Sequence, residues 1–168
     1  MAPGELATGA GGQAFVKYYQ GSTLDGANPD MVRLFMGMAE EYGQLTGKKI
    51  QVNSGFRTFE QQAAEYRADP SKAARPGSSL HEFGLAIDIN SADANELERL
   101  GLMRKYGFTR PVGGEPWHIE PAGLQSAIAQ FKKDKEGATM AIKASVGRGG
   151  GGVGQEKGLF KKGSRSPT

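Results

Sequence analysis

Cysteine is absent from the 168 residues. That excludes a disulfide framework and a thiolate metal site, so any bound metal has to be held by His, Asp or Glu. Histidine is almost as scarce, with two, His81 and His118. No stretch approaches the roughly 20 apolar residues that a bilayer-spanning helix needs. The start, MAPGELATGAGGQAF, lacks a basic segment followed by an apolar run and does not read as a secretory signal. The expectation is a protein made in the cytoplasm without a leader, which something else must carry to any substrate outside the membrane.

What is present is one domain's worth of chain, with hydrophobic content of 38% and charged content of 23%, close to globular averages. Glycine is the outlier at 26 residues, concentrated at the two ends. The net charge of +3 hides an asymmetry. Residues 137–168 hold six basic side chains against Glu156, which leaves 15 basic and 17 acidic residues in the rest. The chain divides into a Gly/Ala-rich segment 1–14, expected to be flexible, a domain 15–136, and a Gly-rich basic tail 137–168. The tail has too few apolar residues to bury and is expected to be disordered in isolation.

Within the domain, Asn28-Pro29 opens a helix whose apolar face runs from Val32 through Phe35, Met38, Ala39 and Tyr42 to Leu45, with Gly47 as its stop. Residues 49–53 read as a strand. Thr58-x-x-Gln61 resembles a capping box for a helix over 59–68. Residues 69–80 form a loop broken by Pro70, Pro76 and Gly77. A strand over 85–90 is followed by a helix that Ser91-Ala92-Asp93 caps and that runs to about Arg104. Short strands near 107–109 and 116–120 come next, then a last helix opened by Pro121 and ending near Gly137. The architecture this predicts is α+β, a small, mostly antiparallel sheet with packed helices.

Each histidine lies beside a carboxylate at a spacing that suits a metal. In the strand over 85–90, Leu85, Ile87 and Ile89 face the core, and Ala86, Asp88 and Asn90 face the other way. Asp88 then has the small Ala86 beside it, and Gly84 lets His81 turn back toward it. In Gly113-Gly114-Glu115-Pro116-Trp117-His118, strict alternation sets Glu115 on the wrong face to work with His118, and the glycines and Pro116 suggest an irregular approach that corrects this. Two imidazoles and one carboxylate leave a fourth position open on tetrahedral zinc, the arrangement of catalytic sites. Zinc lowers the pKa of a bound water from about 16 to about 7, and a nearby carboxylate can shuttle the water's proton to a leaving amine. Glu115 is the candidate. Taken singly, these residues have ordinary explanations: Asp88 as a turn cap, Glu115 as surface charge, Arg57 as a structural salt bridge, Trp117 as core. Together those explanations leave unexplained why both histidines fall in matching contexts.

Ser79-x-His81-x-x-Gly84-x-Ala86-x-Asp88, followed by Glu115-x-Trp117-His118, resembles the D-alanyl-D-alanine carboxypeptidase family of zinc peptidases. That family includes vancomycin-resistance-type D,D-carboxypeptidases and phage L-alanyl-D-glutamate endopeptidases, and shares a hedgehog-like peptidase fold. Ser54-Gly55-Phe56-Arg57 is similar to its Ser-Gly-Tyr-Arg segment, with Phe56 where Tyr is common, and the likeness covers about residues 30–122. The resemblance implies a zinc ion held by His81, Asp88 and His118, Glu115 as catalytic base, and Arg57, Gln62 and Ser79 contacting substrate. Arg57 would grip a carboxylate with two prongs or steady a developing oxyanion.

The activity so implied is hydrolysis of peptide bonds in the stem peptides of bacterial peptidoglycan. The bond stays open among the terminal D-Ala-D-Ala, the L-Ala-D-Glu bond and a crosslink. Without a leader or a wall-binding repeat, a phage lysin or virion-associated hydrolase is the expected setting, its flexible ends meeting other virion proteins. The alternatives are a D-Ala-D-Ala carboxypeptidase of cellular origin and a structural virion protein that keeps a peptidase fold. Specific nucleic-acid binding by Lys161, Lys162 and Arg165 is not expected, because so few charges bind weakly and lose hold as salt rises.

Overall fold

The computed structural model describes residues 5–148, with side chains through Gly137. Contacts divide the chain into two units, Met1–Ser126 and Ala127–Thr168. The first is α+β. It contains β1 (Val16–Tyr18), α1 (Pro29–Thr46), β2 (Ile50–Ser54), α2 (Phe59–Ala68), β3 (Ile87–Ile89), α3 (Ser91–Arg99), α4 (Leu102–Lys105), β4 (Phe108–Thr109) and β5 (His118–Pro121). A last helix, α5 (Leu124–Arg148), starts there and supplies the described part of the second unit.

The five strands form one sheet in the order β1-β2-β3-β5-β4. β1 pairs with β2 in parallel and the other three pairings are antiparallel. The register that matters for function joins β3 to β5, with Ile87 opposite Ile119 and Asp88 opposite His118. Alternation along both strands sends the isoleucines to one face and the Asp88–His118 pair to the other.

The isoleucine face is the core. Ile50, Val52, Ile87, Ile89 and Ile119 are fully buried, together with Phe35, Met38 and Tyr42 of α1 and Ala94 and Leu97 of α3. Each large side chain so placed contributes roughly 1.5–3 kcal/mol. α1 starts where the sequence predicts. Asn28 Oδ1 accepts from the Asp30 and Met31 amides at 3.0 and 3.1 Å, Pro29 sits in the first turn, and Gly47 follows the end. The capping box of α2 is complete, with the Gln61 amide on Thr58 Oγ1 and the Thr58 amide on Gln61 Oε1.

Several boundaries differ from expectation. The helix foreseen from 91 to 104 is two helices, because Gly101 turns left-handed at φ 75° between them. Its N-cap is Asn90 rather than a residue of 91–93, and Asp93 instead accepts from the Gln51 amide at 2.9 Å. The strand expected over 85–90 is confined to Ile87–Ile89, and Ala86 is buried. α5 runs on to Arg148 rather than stopping near Gly137, through Ala-, Met- and Lys-containing sequence that favours helix.

The segment 1–14, expected to be flexible, is held over its described part. The Ala7 amide donates to Tyr106 Oη at 2.8 Å and the Gly9 amide to Glu40 Oε2 at 3.0 Å. Gly12 is buried so close to α1 that a Cβ would lie 2.4 Å from the Met36 carbonyl oxygen. A 3-10 turn over Gly12–Phe15 leads into β1, neither of which the hydrophobic pattern announces. The disorder expected of the tail falls, from residue 149 on, outside the described residues.

Candidate functional site

The polar face of the sheet carries the site. Asp88 stands on β3 and His118 on β5 at paired positions. His118 Nδ1 is 2.9 Å from Asp88 Oδ1. His81 reaches the same oxygen from a tight turn, its Nε2 at 3.2 Å. The turn is closed by Glu82 N to Ser79 O (3.0 Å), Gly84 N to His81 O (3.2 Å) and Leu85 N to Leu80 O (2.9 Å). Gly84 takes φ 69° there, and a Cβ on it would stand 2.9 Å from Ala27 Cα and Asn28 N. That spot is open only to glycine, and through it the turn docks on the entry to α1, where Asn28 N donates to Gly84 O at 2.9 Å.

His81, Asp88 and His118 each offer a ligand atom, all within 4.8 Å of one another. The imidazole rings meet edge-on with centroids 5.3 Å apart. Two nitrogens and one carboxylate oxygen are a donor set that fits zinc with one position left over. Burial alone would push the Asp88 carboxyl up, but hydrogen bonds from His118 and His81 outweigh it and hold the group well below the usual carboxylate range. Burial would likewise push His118 down, and the carboxylates of Asp88 and Glu120 outweigh it, so the imidazole lies above its ordinary value. Without metal the group is bound together by protons that a cation would replace.

A cavity of about 460 Å³ opens over the three residues, lined also by Arg57, Ser79, Glu115 and Trp117. Glu115 shares it with His118 because β5 does not extend back that far. The Glu115 amide bonds Val112 O at 3.3 Å and the His118 amide bonds Glu115 O at 3.1 Å, so residues 112–118 turn instead of alternating. Arg110 tethers this turn, donating to Pro116 O at 3.2 Å and Asn95 Oδ1 at 2.8 Å and pairing with Glu98. Trp117, expected in the core, is 38% exposed and lines the cavity instead. The turn takes it out of the strand, leaving its carbonyl to accept from Ile89 N at 2.9 Å.

Arg57 is both structural and available. Its Nε donates to Ser54 Oγ (2.8 Å), Nη1 to Gln62 Oε1 (2.9 Å) and Nη2 to Asp88 Oδ2 (3.2 Å). A guanidinium has five N–H groups, so two are left over for another partner. Ser79 is buried at the cavity wall, with Oγ accepting from the His81 amide at 3.3 Å. Gln62, expected to contact substrate, also lines the cavity. It is 1% exposed, and its free end is used twice, accepting from Arg57 and donating from Nε2 to Ala74 O at 2.8 Å. It works as a strut between Arg57 and the loop 69–80.

Two residues at the site escaped the sequence reading. Glu82 staples the loop, its carboxylate accepting from the Gly77 amide at 2.9 and 3.0 Å and the Ser79 amide at 3.1 Å. Glu120 sits behind His118, with Oε1 2.8 Å from Nε2. Its signal was available, since a residue two along a strand shares a face.

An α+β fold with a His-Asp-His group on the floor of an open cavity fits a zinc hydrolase. The family model VanY, D-alanyl-D-alanine carboxypeptidase, matches residues 27–124, more than half of the chain and every motif from Arg57 to His118. The chain belongs to this family, as its motifs suggest. The D-alanyl-D-alanine carboxypeptidase of Enterococcus faecalis is 32% identical over 110 residues, covering 45% of this chain and 41% of the relative. That of Enterococcus faecium is 35% identical over 100 residues, covering 48% and 33%. The chain thus spans less than half the length of these curated relatives. Among solved structures, the LD-carboxypeptidase LdcB is similar with a TM-score of 0.46 and 24% identity, over 64% of this chain and 71% of that one.

Proposed function

We propose that this protein is a zinc-dependent peptidase that hydrolyses peptide bonds in the stem peptides of bacterial peptidoglycan. The observation that carries the reading is the convergence of His81, Asp88 and His118 within 4.8 Å at the floor of a cavity that Glu115 and Arg57 also line. Family membership supports the substrate class. Zinc held by the three residues would supply a Lewis acid and a water acidic enough to attack near neutral pH.

The chain's own residues account for the rest of the reaction. Water oxygen bonds to the scissile carbonyl carbon as the Glu115 carboxylate takes a proton from that water. The carbonyl oxygen gains charge, and the two uncommitted N–H groups of Arg57 steady it or a neighbouring substrate carboxylate. The C–N bond then breaks as Glu115 returns its proton to the leaving amine, regenerating the carboxylate. Ser79 keeps a hydroxyl proton to offer substrate while its oxygen holds the His81 turn. Gln62 holds Arg57 in place for substrate.

The test is mass spectrometry of purified peptidoglycan after incubation with the protein, with chelator and with added zinc. Chelator-sensitive products with new peptide termini are expected, and those termini name the bond as terminal or internal. A zinc-loaded protein that leaves several wall types uncut overturns the reading. Whether the setting is a phage lysin or a virion component is tested separately, by looking for the chain in purified particles.

A further inference from the structure

Behind His118, on the side away from Asp88, lies a carboxylate with no part in the reaction just described. Glu120 is 1% exposed. Strand alternation puts it on the face of β5 that carries His118, with Oε1 2.8 Å from His118 Nε2. Its other oxygen accepts from Gln125 Nε2 at 2.8 Å. Burying a carboxylate is costly unless its oxygens are matched by donors, so the placement calls for a reason beyond packing.

The reason lies in which nitrogen of each imidazole carries the proton. The Glu120 carboxylate only accepts, so His118 Nε2 carries a proton, and Nδ1, 2.9 Å from Asp88 Oδ1, is the nitrogen that a cation held by the three residues would take. His81 is the mirror case. Its Nδ1 lies 2.8 Å from the Gly55 carbonyl oxygen, also an acceptor only, which leaves Nε2, 3.2 Å from the same Asp88 oxygen, as the nitrogen open to the cation. A cation there takes the place of protons between Asp88 Oδ1 and the two inner nitrogens, while the outer nitrogens keep theirs. Glu120 is not itself a fourth ligand. It meets the ring at Nε2, and Gln125 occupies its second oxygen.

We propose that Glu120 is a positioning residue that fixes the tautomer of His118 and commits its Nδ1 to the metal, so that the two histidines bind zinc through opposite nitrogens. The proposal rests on the zinc centre named above. A charged acceptor behind a metal-bound imidazole also raises its basicity, and the loss of such a partner typically costs about 10–100-fold in metal affinity.

Zinc alone is the probe, bound to the full-length chain in competition with a chromophoric chelator. Glu120→Leu, shown to be folded by circular dichroism, is expected to weaken zinc by about 10–100-fold. Glu120→Gln is expected to stay within a few-fold of the parent. Its amide oxygen can still accept from Nε2–H, and the exposed Gln125 can turn to suit the new amide nitrogen. A folded Glu120→Leu protein with parental affinity overturns the proposal.

A second measurement needs no variant. With two histidines in the chain, long-range proton–nitrogen spectra of the ¹⁵N-labelled, zinc-loaded protein contain two imidazoles to assign. Protonation at Nε2 of His118 and at Nδ1 of His81 is expected. The same tautomer in both rings, or the reverse pair, refutes the assignment. A chain that binds no zinc loses the proposed function as well. One that binds zinc and cuts peptidoglycan but shows other tautomers loses this inference alone.

Discussion

The floor and the rim of the cavity are built differently. The floor is two paired strands, β3 and β5, whose reverse faces are fully buried isoleucines, so Asp88 and His118 stand on a backbone that packing holds in place. The rim is turn and loop. Glu115 comes from a turn tethered by Arg110, Ser79 from a loop stapled by Glu82, and that loop is tied back through Gln62. Of the groups that must hold an ion at fixed distances, Asp88 and His118 sit on strands and His81 on a turn that Gly84 docks against α1, whereas groups that meet substrate sit on segments that can adjust. The comparison separates two kinds of damage. Changes on the floor should remove the metal, and changes on the rim should leave it bound while slowing the reaction.

The largest effect is expected on the floor. Asp88→Asn replaces the one carboxylate among the three ligand residues, whose Oδ1 faces both imidazoles and whose Oδ2 faces Arg57. Zinc retention after dialysis, read by atomic emission, should be lost, and turnover with it, a fall of at least about a thousandfold for several kcal/mol of barrier. Glu115→Gln is the contrasting variant on the rim. It should retain zinc in full, fold as the parent does, and lose about 10²–10⁴-fold in kcat. A Glu115→Gln enzyme working near the parental rate would remove Glu115 from the mechanism. One that also lost zinc would erase the distinction between floor and rim.

The same division explains what could be read from the sequence. The floor was legible because strand alternation and helix caps are local rules. Ile87, Asp88 and Ile89 declare their faces, Asn28 and Thr58 declare their helices, and the two histidines mark their own segments. The rim resisted because it is set by long-range bonds between residues with no common period. Nothing near Trp117 says that Arg110 will hold Pro116 O and bend the chain, so the alternation rule sent Trp117 inward. Gln62 lies one turn into a helix with both amide atoms claimed by residues 5 and 12 positions away. Family likeness names such a residue as part of the site without saying what it touches. The N-terminal segment failed for the same reason. Its glycines look like a tether until α1 is present for them to press against.

Gln62 gives the smallest expected effect and the finest test, because its two hydrogen bonds do different jobs. Gln62→Leu removes both. Arg57 loses one of its three anchors and the loop 69–80 its tie at Ala74, at about 1–3 kcal/mol for a buried donor left unmatched. kcat/KM should fall by roughly tenfold, which corresponds to about 1.4 kcal/mol, with zinc affinity changed by no more than about threefold (under about 0.7 kcal/mol). Gln62→Glu keeps an acceptor for Arg57 Nη1 and loses the donor to Ala74 O. If Arg57 is what the strut serves, Gln62→Glu should recover most of the lost kcat/KM. If the loop is what it serves, the two variants should fail alike, and the decline should appear in KM rather than kcat. Loss of zinc from either variant would show that the rim reaches down through Arg57 Nη2 to Asp88 Oδ2, and that the floor is less independent than its packing implies.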